Sequence, residues 1–344
     1  MSMNNSKTGP DGWANLWVYS VFFLLGILIC IGNLIIVLII LKYRALSSSK
    51  AYILIMGLSM ADAIHMIGYT CVGANRAMRV FDGRHSGVMR AWECMVTPQG
   101  LIFSFSGLLS SLMLAVVSMD RLFSVLMPLE YMGWSTSYAW ITLLVSYTYC
   151  LISGGIGITL TYPTRIQPPR VSGACIIPQA LRQGSSLFAS YFGLAPAICC
   201  TFSILLYVLV YIIYRRTCSA LEPADRKRQL DQERRLTRGL GVSCMCTFWF
   251  YEVPWLGANL TTWMGYSSIN FVFWMINMLN PGCNLLVYPN RMPEIKMAAK
   301  ALISGKELPE SLHMWKINTS AAKVTPVKME PKKKEPEMKI ESFG

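Results

Sequence analysis

The sequence predicts an all-α membrane protein, a seven-transmembrane helix bundle with a short amphipathic eighth helix and a disordered C-terminal tail. Two observations support this fold class. The 344 residues are 53% hydrophobic and only 14% charged, with a mean hydropathy of +0.42, whereas soluble domains carry about 25% charged residues. The charges also cluster in short segments between long apolar runs, because a charged side chain at the bilayer centre costs roughly 2.5–3.5 kcal/mol.

Seven apolar runs are long enough to cross a membrane, which takes about 20 residues. They lie at 17–41, 51–75, 94–126, 137–162, 186–214, 239–262 and 267–289. The first 16 residues are mostly polar and lack the apolar core of a cleavable signal peptide. We therefore expect an extracellular N-terminal segment at 1–16 and a helical bundle at 17–289.

The segment after the last run is expected to form a separate helix on the membrane surface, at 290–303. Pro289 and Pro293 interrupt the run, and Ile295, Ala298 and Leu302 fall on one helical face. The alternative is a frayed continuation of the seventh helix. Residues 304–344 hold too little apolar material to bury a core, so they are predicted to be a disordered cytoplasmic tail.

The distribution of positive charge predicts the orientation. Seven spans place the termini on opposite sides, and most of the 31 Lys and Arg residues fall on the side of the C-terminus. The positive-inside rule then places the N-terminus outside and the C-terminus in the cytoplasm. Because these residues flank membrane spans, the net charge of +13 does not indicate a nucleic-acid partner; the lipid bilayer is the partner it fits. The loop at 76–90 is unexpectedly basic for an outer loop.

Ionisable and helix-breaking residues inside the spans form a recognisable series. Six of the seven spans contribute to it: the first has Gly32-Asn33, the second Leu58, Ala61 and Asp62, the third Met119-Asp120-Arg121 followed by Pro128, the fifth Pro196, the sixth Phe248 and Pro254, and the seventh Asn280-Pro281. In this order and at these depths, the series resembles the rhodopsin-like (class A) G-protein-coupled receptor family over residues 1–303. The resemblance implies a plasma-membrane receptor, not an enzyme, that binds an extracellular ligand, a chemosensory small molecule or a peptide, and signals to a heterotrimeric G protein.

The chain also departs from the family pattern. Leu122 replaces the tyrosine of the Asp-Arg-Tyr motif, Glu252 replaces the aromatic switch residue of the sixth span, and Asn284 replaces the tyrosine of Asn-Pro-x-x-Tyr. Arg234 lies where the family often has an acid that locks the third helix to the sixth. Such divergence is similar to that of the nematode serpentine chemoreceptors.

The resemblance implies a ligand pocket in the bundle. Phe103 lies where amine receptors carry an aspartate, so an amine anchored in that way is not expected. Glu252 has two interpretations, a cavity residue that binds the ligand or extends an ion site, or a neutral acid bonded to backbone that Pro254 leaves unpaired. The implied ligand-binding residues are Phe103, Gly107, Glu252, Trp255, Asn270 and Trp274.

It also implies an ion site, a coupling switch and two modifications. Asp62, Ser110 and Asn280 match a sodium site, sodium being the one cofactor implied; the alternative is a protonated Asp62 bonded to neighbouring helices. The switch residues are Asp120, Arg121, Pro254, Asn280 and Pro281, with an ordinary interfacial ion pair as the alternative for Asp120 and Arg121. The implied disulfide is Cys94–Cys175, and the implied glycosylation site is Asn4.

A transporter or channel is the competing class of protein. Transporters commonly contain inverted repeats, and the sequence shows no internal repeat.

Overall fold

The computed structural model describes residues 15–217, 237–264 and 270–305. Seven long helices are present, and each exceeds the roughly 20 residues that a membrane crossing takes. Five of them, α1 to α5, also have the apolar composition of a membrane span, and the predicted seven-helix fold is confirmed. The helices are α1 Leu16–Lys42, α2 Lys50–Phe81, α3 Pro98–Leu126, α4 Ser137–Thr161, α5 Ser186–Thr217, α6 237–263 and α7 Asn270–Arg291. Asn4 and most of the predicted tail lie outside the described residues.

Glycines allow the first four helices to approach closely. A Cβ atom on Gly73 of α2 would lie 2.5 Å from the carbonyl oxygen of Tyr19 on α1. One on Gly154 of α4 would lie 2.8 Å from the carbonyl oxygen of Ser104 on α3. In lipid, helices associate through such close backbone contacts because there is little hydrophobic effect to drive them together.

The predicted third span was wrong at its N-terminal end. A separate short helix, Ala91–Met95, carries Cys94, and α3 itself begins at Pro98. The Thr97 hydroxyl accepts a hydrogen bond from the Gly100 amide at 3.2 Å and donates one to the Cys94 carbonyl at 2.6 Å. A capping threonine followed by proline is a strong start signal for a helix, so the chain breaks here instead of continuing.

The loops at one end of the bundle, which we call the hairpin end, are folded. Strand β1 (Val88–Met89) pairs antiparallel with β2 (Val171–Ser172), so that Met89 lies opposite Val171. A 3₁₀ turn, Tyr162–Ile166, and a helix, Ile177–Gly184, complete this end. Helix α2 reaches it because it runs to Phe81, six residues beyond its predicted end at 75.

The opposite end of the bundle carries the eighth helix, so we call it the α8 end. The chain breaks at Met292, and α8 spans Pro293–Ser304, against the predicted 290–303. Ile295, Ala298 and Ala301 are buried on one face, and the Tyr52 hydroxyl donates to Glu294 Oε2 at 3.1 Å. The segment is therefore a separate helix packed on the bundle, and not a frayed end of α7.

Helix α6 contains a wide π-helical turn, Phe248–Glu252, immediately before Val253 and Pro254. Proline cannot donate a backbone hydrogen bond and clashes with the preceding turn, and a π-turn accommodates such a disruption without ending the helix. Glu252, which is buried, is the last residue of this turn.

Candidate functional site

A cavity lies in the middle of the bundle around Asp62. The three predicted ion-site residues, Asp62, Ser110 and Asn280, all line it. Asp62 is fully buried, and its Oδ2 accepts a hydrogen bond from the Asn284 amide at 2.8 Å. The other carboxylate oxygen, Oδ1, and the Ser110 hydroxyl lie close enough to interact with each other, but neither makes a well-aligned hydrogen bond. The cavity therefore presents two buried oxygens that are incompletely satisfied.

Asn284 connects three helices at this cavity. Its amide nitrogen donates to Asp62 on α2, and its carbonyl oxygen accepts from the Ser243 hydroxyl on α6. One turn away, the Thr247 hydroxyl donates to Asn280 Oδ1 at 2.9 Å and links α6 to α7 again. The sequence marked Asn284 only as a departure from a motif; its role as a three-helix link was missed.

Glu252 adjoins the same cavity from α6. Its side chain is 5% exposed, and its carboxyl group adjoins the thiol of Cys200 on α5, which is placed to donate to it. Cys200 and Tyr251 both line the cavity. Glu252 Oε1 is a third buried oxygen without a hydrogen-bond partner.

The predicted ligand-binding residues are distributed over several surfaces. Phe103 packs edge-on against His65 and Tyr69, with ring centroids 5.1 Å from each. Gly107 adjoins α5, because a Cβ atom there would lie 2.9 Å from the Phe192 ring. Trp255 is half-buried, whereas Trp274 is 41% exposed. Asn270 begins α7, and its side chain lies outside the described residues.

A buried ion pair lies at the α8 end of α3. Arg121 Nε donates to Asp120 Oδ2 at 3.1 Å, and both side chains are 1% exposed. The Tyr131 hydroxyl donates to Asp120 Oδ1 at 2.9 Å and accepts from Arg121 Nη2 at 3.1 Å. The Tyr131 hydroxyl is thus hydrogen-bonded to both members of the ion pair. The predicted departure at Arg234 lies outside the described residues.

Lys50 holds Tyr131 in place. Tyr131 belongs to the short helix Pro128–Gly133, which follows α3. The Lys50 ammonium lies 4.0 Å above the Tyr131 ring and donates to the carbonyl oxygens of Tyr131 and Trp134. A cation is favourable at the C-terminal end of a helix, where carbonyl groups are left unpaired. Neither Tyr131 nor Lys50 was predicted; the only sequence signal was Pro128.

Comparison with known proteins identifies the family of the chain. Residues 26–253 match the family model of the serpentine type seven-transmembrane G-protein-coupled chemoreceptor Srsx. The chain belongs to this family. The receptor is also 24% identical over 332 residues to trace amine-associated receptor 8b of Rattus norvegicus, an alignment that covers 88% of the chain and 90% of the relative.

Membership of this family settles the class of protein. The chain is a G-protein-coupled receptor and a multi-pass membrane protein, not an enzyme, and the comparisons favour the receptor over the transporter interpretation. The predicted resemblance to rhodopsin-like receptors and to serpentine chemoreceptors is confirmed. Receptors of this kind respond to an extracellular ligand and couple to G proteins.

The receptor carries the predicted disulfide at its hairpin end. Cys94 and Cys175 are bonded, with Cα atoms 5.2 Å apart, and both are almost completely buried. The bridge ties the short helix before α3 to the loop that follows β2. The remaining cysteines in the described part of the chain are free thiols.

The first testable prediction concerns His85, which lies in the loop after α2. The Tyr19 hydroxyl and His85 Nε2 share a hydrogen bond of 2.6 Å. Burial lowers the pKa of His85 below its usual value, and the positive charges of Arg76 and Arg79 lower it further. Folding therefore favours the neutral imidazole, so its contribution to stability is complete above about pH 6.5 and is lost as the pH falls through the folded pKa.

We expect the melting temperature of the purified receptor to fall when the pH is lowered from neutral to mildly acidic. A His85→Gln variant, which cannot be protonated, should lose less over the same interval. Equal acid sensitivity of the two proteins would contradict this assignment.

Proposed function

We propose that the receptor lies in the plasma membrane with its hairpin end outside and its α8 end in the cytoplasm, and that it passes ligand binding to a heterotrimeric G protein by releasing Arg121 from Asp120 and Tyr131. The buried Asp120–Arg121–Tyr131 cluster is the observation that carries the proposal. The switch also includes Pro254, Asn280 and Pro281, and the ligand is a chemosensory small molecule.

Charge supports the orientation. Lysines and arginines concentrate at the α8 end and in the segment between α5 and α6, as the positive-inside rule requires of the cytoplasmic face. The disulfide supports it too, because disulfides persist in the oxidising extracellular compartment. Epitope tags at each terminus, tested for antibody access on intact and permeabilised cells, determine the orientation.

The ion pair supports a two-state switch. A fully buried guanidinium is costly unless every partner remains in place, so the cluster holds Arg121 in one well-defined arrangement. A ligand shifts the equilibrium only by its differential affinity for the two states. Opening the bundle would exchange these internal bonds for contacts with a G protein.

A cell-based screen with a G-protein readout tests the proposal. Cells that express the receptor should respond to at least one compound, and cells that express an Arg121→Ala variant at equal surface density should not. A response that survives in the variant would overturn the proposed switch, and failure to raise G-protein signalling under any ligand would overturn the proposed function.

Sodium is the proposed occupant of the Asp62 cavity. A buried carboxylate needs a compensating positive charge, and neither ion pair in the described part of the chain includes Asp62. Asp62 Oδ1 and Ser110 Oγ, neither of which makes a well-aligned hydrogen bond, are hard oxygen donors of the kind that a small cation prefers. Asn280 on α7 completes the proposed site, and Glu252 is the candidate to extend it, because it adjoins Cys200, which lines the cavity.

The second testable prediction follows from this site. Replacing potassium with sodium at constant ionic strength should stabilise the wild-type receptor, by about 1.4 kcal/mol at ten times the Kd. Asp62→Asn should abolish the effect on the melting temperature. A Glu252→Gln variant shows whether Glu252 belongs to the site. A smaller sodium-dependent rise in melting temperature would include Glu252, and an unchanged rise would exclude it. Sodium sensitivity that persists in Asp62→Asn would refute the site.

A further inference from the structure

We infer that the ligand of this receptor carries a single negative charge, a carboxylate, which binds the guanidinium of Arg76 at the hairpin end. This inference rests on the proposed function, because it names the class of ligand for the same receptor. Two observations support it: the positive charge of the loops at the hairpin end, and the position and hydrogen bonding of Arg76.

The loops at the hairpin end are strongly basic. Residues 76–97 and 162–185 contain many more arginines than acids, and of the acids Glu93 already pairs with Arg90 at 3.3 Å. A positive surface at the entrance attracts anions and raises their rate of association. The arginines are Arg76, Arg79, Arg84, Arg90, Arg165, Arg170 and Arg182, and the acids are Asp82 and Glu93.

Arg76 differs from the other arginines because it lies above the interior of the bundle. It follows Tyr69 by seven residues, which is two helical turns, so the two side chains share one face of α2. The Tyr69 hydroxyl donates to Asn277 Oδ1 on α7 at 3.2 Å, so this face looks into the bundle. The Arg76 guanidinium lies 5.8 Å from the Tyr19 ring, and the side chain is half-buried.

Arg76 is oriented by one bond and keeps its terminal edge available. Its Nε donates to the Ala174 carbonyl oxygen at 2.9 Å, which fixes the guanidinium plane. Among the described residues, no hydrogen bond or ion pair occupies its two terminal nitrogens. In contrast, Arg79 uses Nε for Asn75 and Nη1 for the Gly173 carbonyl.

The available edge matches a carboxylate better than other groups. Two parallel N–H bonds from one guanidinium fit the two oxygens of a carboxylate. A phosphate offers the same pair of oxygens, but Arg79, the next arginine along α2, uses Nε and Nη1 for other bonds, so one guanidinium would have to balance two negative charges. At the hairpin end an amine has no comparable partner, because Glu93 pairs with Arg90 and the exposed Asp82 lies in the loop beyond α2. The buried carboxyl group of Glu252 belongs instead to the cavity around Asp62. The half-buried ring of Phe103, which packs edge-on against the buried Tyr69, offers an apolar surface for the rest of the molecule.

The test uses a panel of medium-chain and aromatic carboxylic acids, each with its methyl ester and the matching primary amine. Binding is measured as the rise in melting temperature of the purified full-length receptor, and signalling as nucleotide exchange on a G-protein heterotrimer. The variants are Arg76→Gln, Arg76→Lys and the control Arg84→Gln, which removes an exposed arginine from the same surface. Melting temperatures without ligand identify any variant that fails to fold.

We expect acids to stabilise the receptor and their esters and amines to have little effect. Arg76→Gln should weaken acid binding by about 10- to 100-fold, the loss expected for a charged hydrogen-bonded pair. Arg76→Lys should retain part of the affinity, and Arg84→Gln nearly all of it. A panel with no active acid, amines that outperform acids, or acid affinity unchanged in Arg76→Gln would each overturn the inference. The proposed function is judged separately, by whether any agonist or the Tyr131→Phe variant promotes nucleotide exchange.

Discussion

Removing the disulfide between Cys94 and Cys175 is expected to have the largest effect on stability. The bridge closes a segment with a sequence separation of 81 residues, and the chain-entropy relation gives about 4–5 kcal/mol for a loop of that length. In a Cys175→Ser variant, the new hydroxyl and the Cys94 thiol would also be buried without their partner. We expect surface expression to fall severely, and the melting temperature of any purified variant to fall with it.

A matched control separates this effect from simple loss of a thiol. Cys71 is a free, half-buried cysteine of α2, and Cys71→Ser should leave surface expression nearly unchanged. The double variant Cys94→Ser with Cys175→Ser should resemble the single variant, because either change breaks the same bond. Normal expression and stability of Cys175→Ser would show that the bridge does not stabilise the receptor.

Replacing Tyr131 with phenylalanine is expected to have the largest effect on signalling. The change removes the hydroxyl, whose one proton is shared between the two carboxylate oxygens of Asp120 and whose oxygen accepts from Arg121, while the ring can stay beneath Lys50. Hydrogen bonds to charged groups contribute about 1.5–3 kcal/mol, and here that contribution stabilises the closed arrangement alone. Basal G-protein activation, measured without ligand, should therefore rise by about 10-fold or more.

Tyr138→Phe is the control for this variant. Tyr138 packs against Trp134 at the same end of the bundle, with ring centroids 4.9 Å apart, and its basal activity should match the wild type. Lys50→Gln should raise basal activity less than Tyr131→Phe, since it releases the short helix and keeps the hydroxyl bonds. Basal activity of Tyr131→Phe equal to the wild type would show that the hydroxyl does not hold the switch.

The sequence was sufficient for features that depend on local pattern. Apolar runs predicted the seven helices because a membrane span must be apolar along its whole length. Family motifs predicted residues that the fold brings together, as with Asp62, Ser110 and Asn280 at one cavity, and the Cys94–Cys175 bridge. These predictions need only the identity and depth of a residue in its helix.

Features that depend on contacts between elements were not predictable. The bond from Asn284 to Asp62 requires α2 and α7 to meet at one level, and that level is fixed by packing throughout the bundle. The role of Tyr131 requires a short helix, Pro128–Gly133, to fold back on α3 and be held there by Lys50. The break at Thr97 lies inside an apolar run, which by itself predicts one continuous helix. The Thr97-Pro98 pair starts a new helix only because the preceding residues pack against other elements.

The loop at 76–90 is basic although the other observations place it outside the cell. It counted against an outer location, because positive charge is expected inside. In the structure, Arg76 and Arg79 bind carbonyl groups of the loop around β2, so part of this charge anchors that loop. The two terminal nitrogens of Arg76 take no part in this anchoring, and they form the proposed carboxylate site.

Nucleotide exchange on a purified heterotrimer, with the receptor in lipid nanodiscs and no ligand, tests whether the Tyr131 hydroxyl restrains Arg121 in the resting receptor. The measurement compares the wild type, Tyr131→Phe, and Tyr131→Phe combined with Arg121→Ala. We expect Tyr131→Phe to raise the exchange rate about 10-fold and the added Arg121→Ala to return it to the rate of empty nanodiscs. Equal exchange rates in all three proteins, or a raised rate that survives the loss of Arg121, would contradict this expectation.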